Sequence, residues 1–149
     1  MSRESSSALD CAALAAQTIL ESSGETYRAE ETALRMANAF GLPDAQIMAF
    51  PTGFVLSAMV QDRQQVRVFR VKERSIRLDL IDQVNAVSRR AAAGSLDARG
   101  ALDALQALRG QAPRPRLQTC LYYGLAAGFF TVMFGGRALE FLLAFLIGM

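Results

Sequence analysis

The sequence contains no histidine and no tryptophan, and only two cysteines, four prolines and a single lysine. Without histidine there is no imidazole to act as general base or metal ligand, so a conventional hydrolase triad is excluded. Cys11 and Cys120 are too few for a cysteine-rich zinc site, and one distant pair defines no disulfide framework. A serine–lysine dyad would have to use Lys72, which sits beside Glu73 in a charged strand end where desolvation of the ammonium is not expected. The sequence therefore points away from an enzyme, and no catalytic residue, metal or cofactor is expected. Charged residues are also scarce, 20% against 52% apolar, which excludes a disordered tail. The mean hydropathy of +0.20 is high for a soluble chain of 149 residues.

The charges that are present are unevenly spread. Residues 1–62 hold three arginines against eight acids, whereas residues 63–116 hold eleven arginines and Lys72 against five acids. Residues 117–149 keep only Arg137 and Glu140. An acidic third, a basic third and a nearly uncharged third do not describe a plain soluble domain.

The last third reads as membrane. From Leu117 to Gly136 run twenty residues without a charge, close to the length of a helix that crosses a bilayer core. Tyr122 and Tyr123 stand near one end, as aromatics do at an interface. Gly124 and Gly128, four apart, put small residues on one helical face where another helix can approach, a pointer to helix packing and oligomers. The competing reading is a hydrophobic core helix of a soluble protein. After Gly135 and Gly136, a second apolar stretch of nine residues, Phe141 to Met149, reads as a truncated second transmembrane helix of a fragment or of a chain completed by a partner. Arg99, Arg109, Arg114 and Arg116 flank the first span and predict residues 1–116 on the cytoplasmic side. The N-terminus, with Asp10 inside its weakly apolar part, lacks the apolar core of a signal peptide.

Residues 1–116 read as an α+β domain. Leu9, Ala13, Ala16, Ile19 and Leu20 are spaced as on a helix over 8–21. Ser22 and Glu25 have capping-box form for a second helix, which Gly41 and Pro43 stop. The period then shortens. Ile47 to Phe50 is a short strand, Pro51 to Gly53 a turn, and Phe54, Leu56, Ala58 and Val60 alternate before a polar stretch, 61–65, and the β-branched run Val66 to Val71. Helical spacing returns at Leu80, Val84, Val87 and Ala91. It returns again after Ser95, a plausible N-cap, at Ala98, Leu102, Leu105 and Leu108. Gly110, Pro113 and Pro115 form a linker. The predicted fold is thus an α+β cytosolic domain, α-α-β-β-β-α-α with an antiparallel sheet, over 1–116, followed by transmembrane α-helices over 117–149.

These stretches carry a resemblance. SSGETYRAEETALRMANAFGL (22–42), PTGFVLS (51–57), VRVFRV (66–71), LDLIDQVNAVSRR (78–90) and GLAAGFFTVMFGG (124–136) resemble, in order and spacing, the N-terminal domain of the threonine/serine exporter family. The resemblance covers nearly the whole chain from about Leu9. The GET and FGG motifs look more like the split type, in which a long half works with a small integral-membrane partner and one such pair is implicated in succinate export. It implies a secondary transporter in the bacterial inner membrane that exports a small amino acid or a dicarboxylate on the proton gradient. The implied partners are membrane lipids, a second copy or a small membrane subunit, and the small-molecule substrate. A second hypothesis is a membrane-anchored regulatory or ligand-binding module without transport of its own.

Each candidate site has a plainer reading beside it. Arg137 and Glu140 are candidates for holding a carboxylate substrate, or form an i,i+3 ion pair anchoring a hairpin turn. Gly24, Glu25, Thr26 and Arg28 form a ligand or gating cluster, or simply a chain break and a helix start. Gly135 and Gly136 share that structural-or-gating ambiguity. Glu25, Glu30 and Glu31 read as a solvated helix face. The basic stretch 63–77 suggests phosphate contacts, but it is strand-like with one nearby aromatic, Phe69. Anionic headgroups or the acidic first third suit it better than nucleic acid.

Overall fold

The computed structural model describes residues 2–111 and 116–149. The chain divides into two compact units, Met1–Gln111 and Ala112–Met149. In the first, chain order runs α1 (Ser2–Glu21), α2 (Thr26–Ala39), β1 (Gln46–Phe50), β2 (Gly53–Val60), β3 (Arg63–Arg70), α3 (Leu78–Ala92) and α4 (Ala98–Arg109). The second holds α5 (Arg116–Met133) and α6 (Ala138–Gly148). Of the predicted linker, Pro113 and Pro115, with Arg114 between them, lie outside the described residues.

Helix α1 is the centre of the first unit. A helix that buries one stripe keeps a polar face, but α1 is alanine-rich and buried on several sides at once: Leu9, Cys11, Ala12, Ala15, Ile19 and Leu20 are all inaccessible to solvent. It packs against α2, α3 and α4 and against β2 of the sheet. Small side chains are what allow that many neighbours to come close. The three strands form an antiparallel sheet in the order β1-β2-β3. Phe54, Leu56, Ala58 and Val60 of β2 face inward, and the Phe54 ring stacks on Phe69 of β3 with centroids 4.9 Å apart.

Both hairpin loops have two residues. The second closes between Val60 and Arg63, with Gln61 and Asp62 at φ 54° and 58°. Positive φ at both central residues is the primed turn that matches strand twist, so the ladder continues at once into Arg63. Residues 63–65, expected as a polar connection, therefore belong to β3. They carry no apolar alternation because this end of the strand is exposed.

Two caps differ from expectation. The N-cap of α4 is Asp97, not Ser95: its Oδ1 accepts from the Gly100 amide at 2.8 Å, while the Ser95 hydroxyl donates to the Arg90 carbonyl that ends α3. Ser22 does not cap α2 but belongs to the close of α1, where its amide donates to the Thr18 carbonyl. Ser23 then turns left-handed at φ 61°, and the Gly24 amide reaches back to the Ile19 carbonyl at 2.8 Å, a Schellman ending. Arg74 completes it, donating from Nε to the Leu20 carbonyl and from Nη2 to the Gly24 carbonyl.

The expected transmembrane half of the fold is overturned. No helix among the described residues is long and apolar enough to cross a membrane. Helix α5 has 18 residues, about 27 Å at 1.5 Å per residue, against a hydrocarbon core of about 30 Å. It stops at Met133, so Phe134, Gly135 and Gly136, counted in the charge-free run, fall outside it. Within it stand Gln118, Thr119, Tyr122, Tyr123, Gly124, Gly128 and Thr131. The run was free of charge without being uniformly apolar. Helix α6, with 11 residues, is shorter still.

Candidate functional site

Among the described residues, the first unit carries a polar cleft lined by Tyr27, Arg28, Glu31, Thr32 and Arg35 of α2 and by Asn85 and Arg89 of α3, with a volume of about 310 Å³. That is the low end of ligand-pocket size and suits a small molecule rather than a dinucleotide. The lining follows from helical periodicity. Arg28, Glu31, Thr32 and Arg35 recur at three- and four-residue intervals on one face of α2, and Asn85 and Arg89 at four on α3. Thr32, only 3% exposed, donates from Oγ1 to Asn85 Oδ1 at 3.2 Å and so ties the two helices together beneath the cleft.

Three guanidinium groups and one carboxylate face this space. Arg35 pairs with Glu31 on the next turn. Arg28 Nε lies 3.3 Å from the Tyr27 hydroxyl and 3.1 Å from Glu25 Oε2, and these contacts raise its pKa above the ordinary arginine value. Arg89 is exposed and has no carboxylate partner among the described residues. The cleft thus keeps a surplus of positive charge with planar, forked donors suited to a carboxylate. Glu31 supplies an acceptor for an ammonium, and the Thr32–Asn85 pair supplies neutral hydrogen-bonding groups.

Of the cluster foreseen at the start of α2, Arg28 lines the cleft, while Glu25 stands behind it as the partner of Arg28 and the N-cap of the helix. Thr26 opens α2. Gly24 is buried in the turn before it, where a Cβ would lie 2.5 Å from Ile19 Cγ2. Glu30 is not simply solvated: its carboxylate accepts from the Ala49 amide at 2.7 Å and covers part of the free edge of β1. Thr32, Arg35, Asn85 and Arg89 were missed. Their signal was polar residues at helical spacing on two helices, but nothing local reveals that the two faces meet.

The remaining candidates belong to the second unit. The Glu140 carboxylate accepts from the Arg137 backbone amide, capping α6, and both side chains are exposed. No ion pair joins them among the described residues, and the Arg137 guanidinium has no carboxylate partner there. Gly135 turns left-handed at φ 89°, and the Gly136 amide donates to the Thr131 carbonyl at 2.9 Å, closing α5 as Ser23 and Gly24 close α1. Gly124 and Gly128 face α6: a Cβ at Gly124 would lie 2.8 Å from the Phe145 carbonyl oxygen, and one at Gly128 2.7 Å from the Phe141 ring. The small-residue face is filled by the neighbouring helix of the same unit. An open hollow beside the turn is lined by Phe130, Thr131, Phe134, Gly135, Gly136 and Glu140.

Compared with known proteins, residues 10–149 match the sequence model of the family described as "Putative threonine/serine exporter". No curated protein and no solved structure matches the chain.

Proposed function

The chain belongs to the threonine/serine exporter family, a family of transporters, and from that membership we propose that it takes part in exporting a small hydroxylated amino acid, with the cleft between α2 and α3 as the place where the amino acid is first held. The observation that carries this reading is the donor set of the cleft. Arg89 and Arg28 suit the carboxylate, Glu31 the ammonium, and Thr32 with Asn85 the side-chain hydroxyl. Export runs outward across a membrane, so this unit faces the cytoplasm, where the amino acid is collected. The surplus of guanidinium over carboxylate supports a dicarboxylate such as succinate as the second reading.

The second unit exposes Phe129, Phe130, Phe134, Leu142, Leu146 and Ile147. Apolar cover for these side chains comes, in this proposal, from a second copy or a small integral-membrane subunit together with lipid. The test is threonine and serine efflux from amino-acid-loaded cells that express the chain with its neighbouring genes. Efflux should rise above that of cells lacking the chain and fall back with Arg89→Gln at equal expression. Unchanged efflux on deletion of the chain would contradict the proposal.

A further inference from the structure

The basic stretch 63–77 divides into two sets once its side chains are traced. Arg67 reaches Asp10 at 3.4 Å, Arg74 holds the carbonyls that end α1, and Arg77 grips Asp79 at 2.9 Å. Arg63, Arg70 and Lys72 are exposed and have no carboxylate partner among the described residues. These three stand at the start of β3, at its end and just beyond it.

Arg63 pairs with the inward-facing Val60 and so lies on the α1 side of the sheet, whereas Arg70, with the exposed Lys72 just beyond it, borders an unusual face on the other side. The side opposite α1 carries Met48, Val55 and Val68 in one cross-strand row, with Ser57 and Val66 in the next and Phe50 and Arg70 on the other flank. Val68 is 74% and Met48 62% exposed. No acidic residue lies on the outward face of any of the three strands. Apolar side chains at the centre, cations at one border and no acid on the strands themselves, with Glu73 just beyond Lys72, is the composition of a surface that meets an anionic bilayer, where apolar groups enter the headgroup boundary and Lys and Arg meet phosphate. A second copy stacked on this face would meet the same cations with no acid on its own strands' outward face to pair with them.

We propose that this sheet face seats the first unit on the surface of an anionic lipid bilayer, with Met48, Val55 and Val68 entering the interface and Arg70 and Lys72 on the headgroups. Each cation adds roughly a five-fold gain in partitioning to an anionic surface. The absence of tryptophan allows a local readout in the full chain, independent of how the second unit meets lipid. In a Val68→Trp chain, and in a Met48→Trp chain as a second reporter, the indole emission should shift to the blue on phosphatidylglycerol vesicles. The shift should be absent on phosphatidylcholine, and lost in high salt or when Arg70→Gln and Lys72→Gln are combined. Emission that stays water-like on both vesicles, or shifts equally on both, overturns the proposal. A blue shift without vesicles that grows with protein concentration overturns it in favour of pairing between copies.

Discussion

The Thr32 hydroxyl donates to Asn85 Oδ1 at 3.2 Å across residues 53 positions apart in sequence. It is the one side-chain hydrogen bond found between α2 and α3 among the described residues, and it lies beneath the cleft. Thr32→Val keeps the shape but leaves the Asn85 amide oxygen without this donor, so stability should fall by about 1–2 kcal/mol. Thr32→Ser should retain most of it. Urea unfolding of the three chains measures both differences.

Ser23 and Gly24 close α1 as a pair, and substitutions there should act in opposite directions. Gly24→Ala forces a methyl to within 2.5 Å of Ile19 Cγ2 and 2.8 Å of the Ile19 carbonyl oxygen, at a cost of roughly 1–3 kcal/mol. Ser23→Gly relieves a left-handed non-glycine residue and should raise stability by about 0.5–1 kcal/mol. Thermal melts should therefore move down for the first and up for the second.

Cys11 gives the fold an alkaline limit. Burial in α1, and next the charge of Asp10, push its thiol from 9.0 up to about 12. The unfolded chain therefore loses this proton at lower pH than the folded one. Stability carried by the neutral thiol is intact below pH 9 and declines as pH rises from 9 toward 12. Between pH 8.5 and 10.5 the urea midpoint of the natural chain should drop further than that of Cys11→Ala.

Glu140 and Arg137 separate a structural role from a functional one. Glu140→Ala removes the carboxylate that caps α6, and should cost about 0.5–2 kcal/mol of helix stability, read as reduced far-ultraviolet ellipticity. Arg137→Gln leaves the backbone amide that makes this bond intact and should preserve ellipticity. If its guanidinium attracts the carboxylate of the cargo, efflux falls; efflux at the natural level with normal expression removes Arg137 from the substrate path.

How much of this was readable in sequence depends on how local each signal is. The alternation from Phe54 to Val60 and the 3.6-residue spacing of Leu80, Val84, Val87 and Ala91 mark a strand and a helix, because burial on one face imposes a period on neighbouring residues. The start of β3 at Arg63 was hidden, since its exposed end has no apolar residue to alternate. The length of α5 was overread, because absence of charge was counted where apolar content and the Schellman ending at Gly135 decide the helix. The cleft was half visible. Arg28 stands in a conspicuous cluster, whereas Arg89 looks like any solvated arginine until α3 is laid beside α2. The sorting of the basic stretch into paired and unpaired members depends on Asp10 and on the end of α1, both far away in sequence.

The most direct test of the account is calorimetric titration of L-threonine into the full chain and into its Arg89→Gln variant. Arg89 is exposed and has no carboxylate partner among the described residues, so the substitution should leave the fold unchanged. The account predicts that the natural chain binds threonine and serine, and that Arg89→Gln weakens binding by roughly ten-fold or more, the loss of a charge-assisted hydrogen bond. Equal affinity in the two chains, or no binding of either amino acid to the natural one, would contradict it.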